Sequence, residues 1–326
     1  MTMPVDTMRR HFCLGAAAAL AGGAARAQTN AWPSQAITFV VPFAAGTATD
    51  VLARTIAEPM SRALKVAVVV DNKVGASASI GATAVARARP DGHTLLLGSS
   101  TTHAANAALF HKLSYDPIAD FTPIALLGEI PQVMVVHPSV PATSVAEFVG
   151  WVRSQTKPVD FAQGSSGNLL TAAILNARLK LGMQAVAYRS PPPALVDVMG
   201  GHVPMMFADL SVSHANIRAG KLRALAVSSL RSVELLPDVP PLSRTLPDFE
   251  LASWIAMWGP AGTPASIVAT LNRLVLATLG DAAVARKLRD NGFTLRPSSP
   301  AELGLHVAKE TVKWAKYVNE AGLERQ

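Results

Sequence analysis

Short apolar, β-branched runs recur along this chain, and each gives way to a loop of small and hydroxyl residues followed by a helix-period pattern. "FVVPFAAGTATDVLART" (Phe39 to Thr55) is the first instance, with Leu52, Ile56 and Met60 marking one apolar helix face. "AITFVVPF" and "KVAVVVDN" flank a helix from Ala48 to about Glu58, which Pro59 should end or kink. An Ala-rich helix over Ser79 to Ala88 and the turn "RPDGH" lead to a third run, "TLLLGSS". This β-α-β-α-β order calls for a parallel sheet with helices on both faces, an α/β architecture.

From Gln132 a similar series starts again. "QVMVVHP" precedes a helix over Ser144 to Gln155, "VDFAQGSSGN" a helix reaching Leu181, and "MQAVAYR" a helix over Ala194 to Gly200. "VPMMFADL" and a short helix then lead into "KLRALAVSS". A chain of 326 residues, 50% apolar, exceeds the roughly 250 to 300 at which single cores stop growing, so two doubly wound α/β domains are expected. The Pro-rich "LLPDVPPLSRTLPDF" and the apolar "SWIAMWGP" read as a return crossing into the first domain. Helices near Ala265 to Leu279, Ala282 to Asp290 and Pro300 to Ala321 close the chain, the last opened by a Ser299–Glu302 capping box. The expected boundaries are 28–130 and 251–326 for domain 1 and 131–250 for domain 2.

Residues 1–27 read as an export signal, with Arg9 and Arg10 before a short apolar run and Ala25-Arg26-Ala27 as the cleavage pattern. The Sec route is expected, with a twin-arginine reading of "RRHFCL" as the alternative. Either route carries the protein out of the cytoplasm. Cys13, the sole cysteine, leaves with this segment, so the mature chain has no thiol, disulfide or cysteine metal ligand. Removing Arg9, Arg10, Arg26 and Asp6 lowers the net charge from +7 to +5. Charged residues are 16% of the chain and no block of five like charges occurs, which argues against a nucleic-acid surface.

The loops carry the chemistry. Thr47-Ala48-Thr49-Asp50 is a candidate capping box, with Thr47 as N-cap and Asp50 reaching back to a free amide, and Ala44, Ala45 and Gly46 leave the amides before it open. "GSSTTHAAN" (Gly98 to Asn106) and "QGSSGN" (Gln163 to Asn168) also follow apolar runs and precede helical patterns. Ligands of open α/β sheets bind at the carboxyl ends of strands. Two such loops from the first domain and one from the second would face one cleft, a setting for a small carboxylate. A nucleophile elbow at Gly164-Ser165-Ser166-Gly167-Asn168 lacks its last glycine, so a serine hydrolase using Ser165 or Ser166, with His202 or His214 as base and Asp197 or Asp209 as orienter, is the weaker alternative. Dinucleotide, P-loop and zinc-protease motifs are missing from the sequence, and His93, His103, His111 and His137 show no metal-ligand spacing. No cofactor or metal is expected.

Seven pieces in order carry a resemblance: "ITFVVPFAAGTATD", "PDGHTLLLGSSTTHAANAALF", "YDPIADFTPIALLG", "FAQGSSGN", "PALVDVMGGHV", "IRAGKLRALAVSSLRSVELLPDVPPLSR" and "WIAMWGPAGTP". From about Trp32 onward the chain resembles the substrate-binding receptors of tripartite tricarboxylate transporters, the Bug or TctC-like periplasmic proteins. The resemblance implies a hinged type II periplasmic binding protein that closes on a small organic acid and delivers it to a membrane permease; an enzyme is not expected, and a monomer is. A receptor-like sensor or scaffold without transport is the further alternative. The residues it places at the ligand are Phe43, Ala44, Gly46, Thr47, Thr49 and Asp50 from the first loop, Thr101 and His103 from the second, Gly164, Ser165, Ser166 and Asn168 from the third, and Tyr188 and Asp209 beyond them. Where the family commonly has Pro-Gly-Gly before the first helix, this chain has Ala45-Gly46-Thr47, and Pro191-Pro192-Pro193 stands where glycines are usual. A stiffer, narrower and more apolar cleft is expected, suited to a monocarboxylate with an aromatic or aliphatic body.

Overall fold

Strand pairing follows directly from the apolar runs. In the computed structural model, which describes residues 32–325, β1 (Ile37–Val41) lies between β2 (Val68–Asn72) and β3 (Thr94–Ser99), all parallel. The export-signal reading lies outside the described residues. Helices α1 (Ala48–Leu64) and α2 (Ser79–Ala86) make the crossovers. Beyond β3, a wide π-type turn over Thr101–Ala105 runs into the short helix α3 (Asn106–Leu109).

The sheet is continued by a strand from far along the chain. β9 (Ala252–Pro260) inserts antiparallel between β3 and β4 (Phe121–Val136), as the return crossing predicted, with Gly98 opposite Ala256 and Ser99 opposite Ile255. The 16-residue β4 serves two sets of strands. Its residues Phe121 to Pro131 pair with β9, Gln132 to Val136 pair with β7 (Met205–Asp209), and Val133 to Val136 pair with β8 (Arg223–Val227). In the second set β7 also neighbours β5 (Asp160–Gln163), and β5 pairs with β6 (Gln184–Ala187). A two-residue strand β10 (Thr294–Leu295) pairs with β4 at Glu129 and Gly128.

Helices α4 (Val145–Ser154), α5 (Ser166–Leu179), α6 (Pro191–Met199) and α7 (Leu210–Arg218) follow the strands of the second set. Helices α8 (Ala265–Gly280), α9 (Ala282–Arg289) and α10 (Pro300–Glu320) close the chain. The capping box of α10 forms as its sequence requires, with the Glu302 amide donating to Ser299 Oγ and Glu302 Oε2 accepting from the Ser299 amide. Buried Glu310 anchors α10 to the sheet: its Oε2 accepts from both Trp254 Nε1 and Trp314 Nε1 at 3.0 Å. Two indole donors and Lys313 satisfy a carboxylate that burial would otherwise penalise.

One expectation is narrowed and one corrected. Pro59, expected to end or kink its helix, does not end α1, which runs on to Leu64; burial of the neighbouring Met60 helps offset the one hydrogen bond that Pro59 cannot donate. Pro191 to Pro193 do not form a stiff loop but open α6, where proline's fixed φ suits the first turn and its missing N–H is one the helix does not use.

Candidate functional site

At the start of α1, Thr47 takes the extended N-cap conformation and its Oγ1 donates to the Ala44 carbonyl at 2.9 Å while accepting the Asp50 amide at 3.5 Å. Asp50 reaches back as expected, past the N-cap Thr47 to the Gly46 amide, which donates to its Oδ2 at 2.9 Å. Gly46 has φ of +81°, which a side chain would strain. Burial pushes the Asp50 carboxyl up, but Arg54, the Gly46 amide and Asn72 outweigh it and hold it below the usual carboxylate range. Asp50 is therefore committed to tying the loop, α1 and the end of β2 together. The Ala48 and Thr49 amides stand ahead of the first internal bond of α1, from Val51 to the Thr47 carbonyl, and remain open at the positive end of the helix.

The same construction recurs in the second strand set. Ser165 caps α5 by accepting the Asn168 amide at 3.2 Å, which leaves the Ser166 and Gly167 amides outside the ladder. A Cβ at Gly164 would lie 2.3 Å from the Ser190 carbonyl carbon and 2.4 Å from the Pro191 nitrogen, so this glycine lets the start of α6 press against the β5–α5 loop. Ser190 Oγ in turn accepts the Ala44 amide at 3.3 Å, and Ser166 Oγ donates to Asn106 Oδ1 at 2.8 Å. These two bonds link loops of the first strand set to loops of the second.

A cavity lies between those loops. Its lining is Phe43, Thr47, Ala48 and Thr49 from the α1 loop, Ser99, Ser100 and Thr101 beyond β3, Ser165 and Pro191 from the second set, Asp209 at the end of β7, and Ser253 and Ile255 on β9. The space open to the centres of water-sized molecules is only about 20 Å³, little more than the ~10–15 Å³ that one water needs. The hydroxyls of Thr49, Ser100 and Thr101 have no hydrogen-bond partner among the described residues. The lining is thus more hydroxylic than the substitutions in the loops imply. A second, wider space of about 510 Å³ lies beside the β5–α5 loop, against Gly75 to Ser77, Phe110 and Arg189.

Of the residues expected at the ligand, Phe43, Thr47, Thr49, Thr101, Ser165 and Asp209 meet in the small cavity. Gly164, Ser166 and Tyr188 line the wider one, where Tyr188 also donates to Asp197 Oδ2 at 2.6 Å. Ala44, Gly46 and Asp50 shape the first loop from behind. His103 lies in neither space: it is buried, stacked on Trp258 with ring centroids 3.7 Å apart, and burial pushes its imidazole down to about 3. Asn168 is buried in the first turn of α5. Ala48, Ser99, Ser100, Pro191, Ser253 and Ile255 are lining residues that sequence reasoning missed. Ser99 and Ser100 sit in a loop already singled out, whereas Ser253 becomes visible only through the register of β9.

Hydrolase chemistry finds no support in this geometry. Ser165 Oγ is occupied as a helix cap, Ser166 Oγ donates to Asn106, and among the described residues no histidine bonds to either. No group of three or more His, Cys, Asp or Glu residues that could hold a metal occurs among the described residues.

The sequence model of the tripartite tricarboxylate transporter family receptor matches residues 52–323. The chain belongs to that family. Three solved structures share its mixed α/β fold. Rpa4515 of R. palustris with adipate has a TM-score of 0.88 at 33% identity, covering 90% of this chain and 100% of that one. The periplasmic binding protein BugD has a TM-score of 0.86 at 32% identity over 90% of this chain and 100% of its own. MatC of Rhodopseudomonas palustris with bound malate has a TM-score of 0.84 at 35% identity, covering 88% and 100% of the two chains.

Proposed function

We propose that this receptor captures a small organic acid in the cavity between its two strand sets, in the periplasm, and delivers it to a tripartite tricarboxylate-type membrane transporter. The observation that carries the reading is the convergence of open helix amides and unpartnered hydroxyls from separate parts of the chain on one cavity. Such an array favours an anion: each helix end contributes about 0.3–1 kcal/mol, and more when partly buried. Relatives that hold adipate and malate support a carboxylate as cargo.

In this reading residues 28–130 and 251–326 form one lobe and residues 131–250 the other, hinged where β4 passes from one strand set to the other and near residue 250. The ligand residues are those of the lining together with the α5 amides. A space of about 20 Å³ admits a ligand only when the walls part, which makes opening a step of binding.

Native mass spectrometry of the mature protein from its own cell envelope, followed by calorimetric titration with the acid that co-purifies, tests the proposal. The acid is expected to bind one to one, to raise Tm by mass action and to be recovered unchanged. Failure of every small acid to bind, or chemical conversion of the bound acid, overturns it.

A further inference from the structure

Asp209 stands at a position where an aspartate has an obvious local use that it does not take. It is the N-cap residue of α7, and an N-cap Asp ordinarily accepts an amide of the first turn, a bond that stabilises a helix. Here the side chain makes no capping bond; the backbone carbonyl accepts from Ser213 Oγ, and the carboxylate turns to the cavity wall.

Its orientation is fixed from behind. Ser253 Oγ donates to Asp209 Oδ1 at 3.0 Å, and Gln132 Nε2, fully buried, donates to Ser253 Oγ at 3.3 Å. Gln132 and Asp209 are direct partners in the β4–β7 ladder, so three strands, β4, β7 and β9, hold the relay. Oδ2 has no hydrogen-bond partner and no cation within ion-pair distance among the described residues. Burial without a compensating charge raises the carboxyl to about 6, in keeping with a group held at the wall for something that is not protein.

The cavity therefore has two electrical ends. Open amides and hydroxyls gather at the starts of α1 and α5, and a carboxylate oxygen without a partner stands at the end of β7. A plain acid satisfies the first end and faces a like charge at the second. We propose that Asp209 accepts a hydrogen bond from the ligand, so that the acid preferred by this receptor carries an ammonium or hydroxyl group close to its carboxylate. Both electrical ends line the same cavity, and the relay through Ser253 fixes where the donor must lie. Asp209 is thus the specificity-determining residue of the site, a role that rests on the receptor reading above.

Calorimetric titration of the mature protein with matched acids tests this: succinate, malate and aspartate, and adipate, 2-hydroxyadipate and 2-aminoadipate. In at least one set the donor-bearing acid is expected to bind about tenfold to a hundredfold tighter than its plain counterpart. In Asp209→Asn that preference falls to within about threefold, with plain acids binding more tightly than to the parent because the like charge is gone. Ser253→Ala, which keeps the charge but frees its orientation, gives an intermediate loss and serves if the first variant does not fold. Plain acids binding the parent protein as tightly as their donor-bearing partners overturns the proposal, as does a preference that survives in both variants or an equal loss of all acids in Asp209→Asn. Silence of all six acids toward a parent protein that binds a plain acid co-purified from its own cell envelope overturns this inference alone, whereas failure of every small acid overturns the receptor reading and this inference with it.

Discussion

A methyl group at Gly164 would lie 2.3 Å from the Ser190 carbonyl carbon, and neither backbone can retreat without moving the start of α6. Gly164→Ala is therefore expected to cost about 1–3 kcal/mol or more by overpacking, seen as a lower midpoint in chemical denaturation. A parental midpoint would show that the loop yields easily. Asp209 gives the opposite expectation. Its carboxyl is raised to about 6 by burial, above the ~3.9 of an unfolded aspartate, so the folded state binds the proton more tightly. Stability then falls as pH rises from about 4 to 6, and above that window the penalty stays in full. Asp209→Asn should raise the Tm of the ligand-free protein at pH 7.5 by a few degrees and lose that advantage toward pH 4. An unchanged Tm at pH 7.5 would count against the raised carboxyl. The hydroxyl-rich loops were legible in the sequence because their composition announces them. The parts of His103 and Gly164 were not, because stacking on Trp258 and contact with Ser190 join residues far apart in the chain.

Elements were read well where period and cap agree. The Ser299–Glu302 capping box at the start of α10 is the clearest, and Ser299→Ala should cost about 1 kcal/mol, measurable by urea denaturation. Restoration by Ser299→Asp would distinguish a lost cap from altered packing. The first half of β4 escaped notice for a physical reason. "FTPIALLGEIP" is covered on both faces, so it lacks the alternation that marks a half-buried strand, and its pairing with β9 shifts register near Pro123 and near Leu126. Prolines were the harder residues to read: Pro59 sits inside a helix without ending it, and Pro191 to Pro193 begin one.

For the whole molecule, the alternation of strands and helices gave the α/β class, and the return of "SWIAMWGP" to the first strand set was readable from its apolar run. That both sets share one long strand was not, since Pro131 and the fresh apolar run from Gln132 read as a boundary, and only the pairing shows one strand passing through it. Among the described residues, and apart from Ser253 to Asp209 beside the shared strand, two bonds with a side-chain partner link the loops of the two sets at the cavity: Ser166 to Asn106, and the Ala44 amide to Ser190. If the sets move as lobes, the Ser166→Ala/Ser190→Ala double variant should show a larger radius of gyration than the parent without ligand, and should regain the compact value when saturated. Small-angle scattering curves that superimpose in both conditions would contradict lobe motion.

The placement of β9 between β3 and β4 also bears on how this polypeptide comes into being. As the chain is made from its N-terminus, two inner edges stay bare until Ala252–Pro260 arrives, after the entire second strand set has been synthesised. A nascent chain stopped short of that segment has a gap in the middle of its sheet, and it remains open to chaperones and proteases until the missing ribbon slots in.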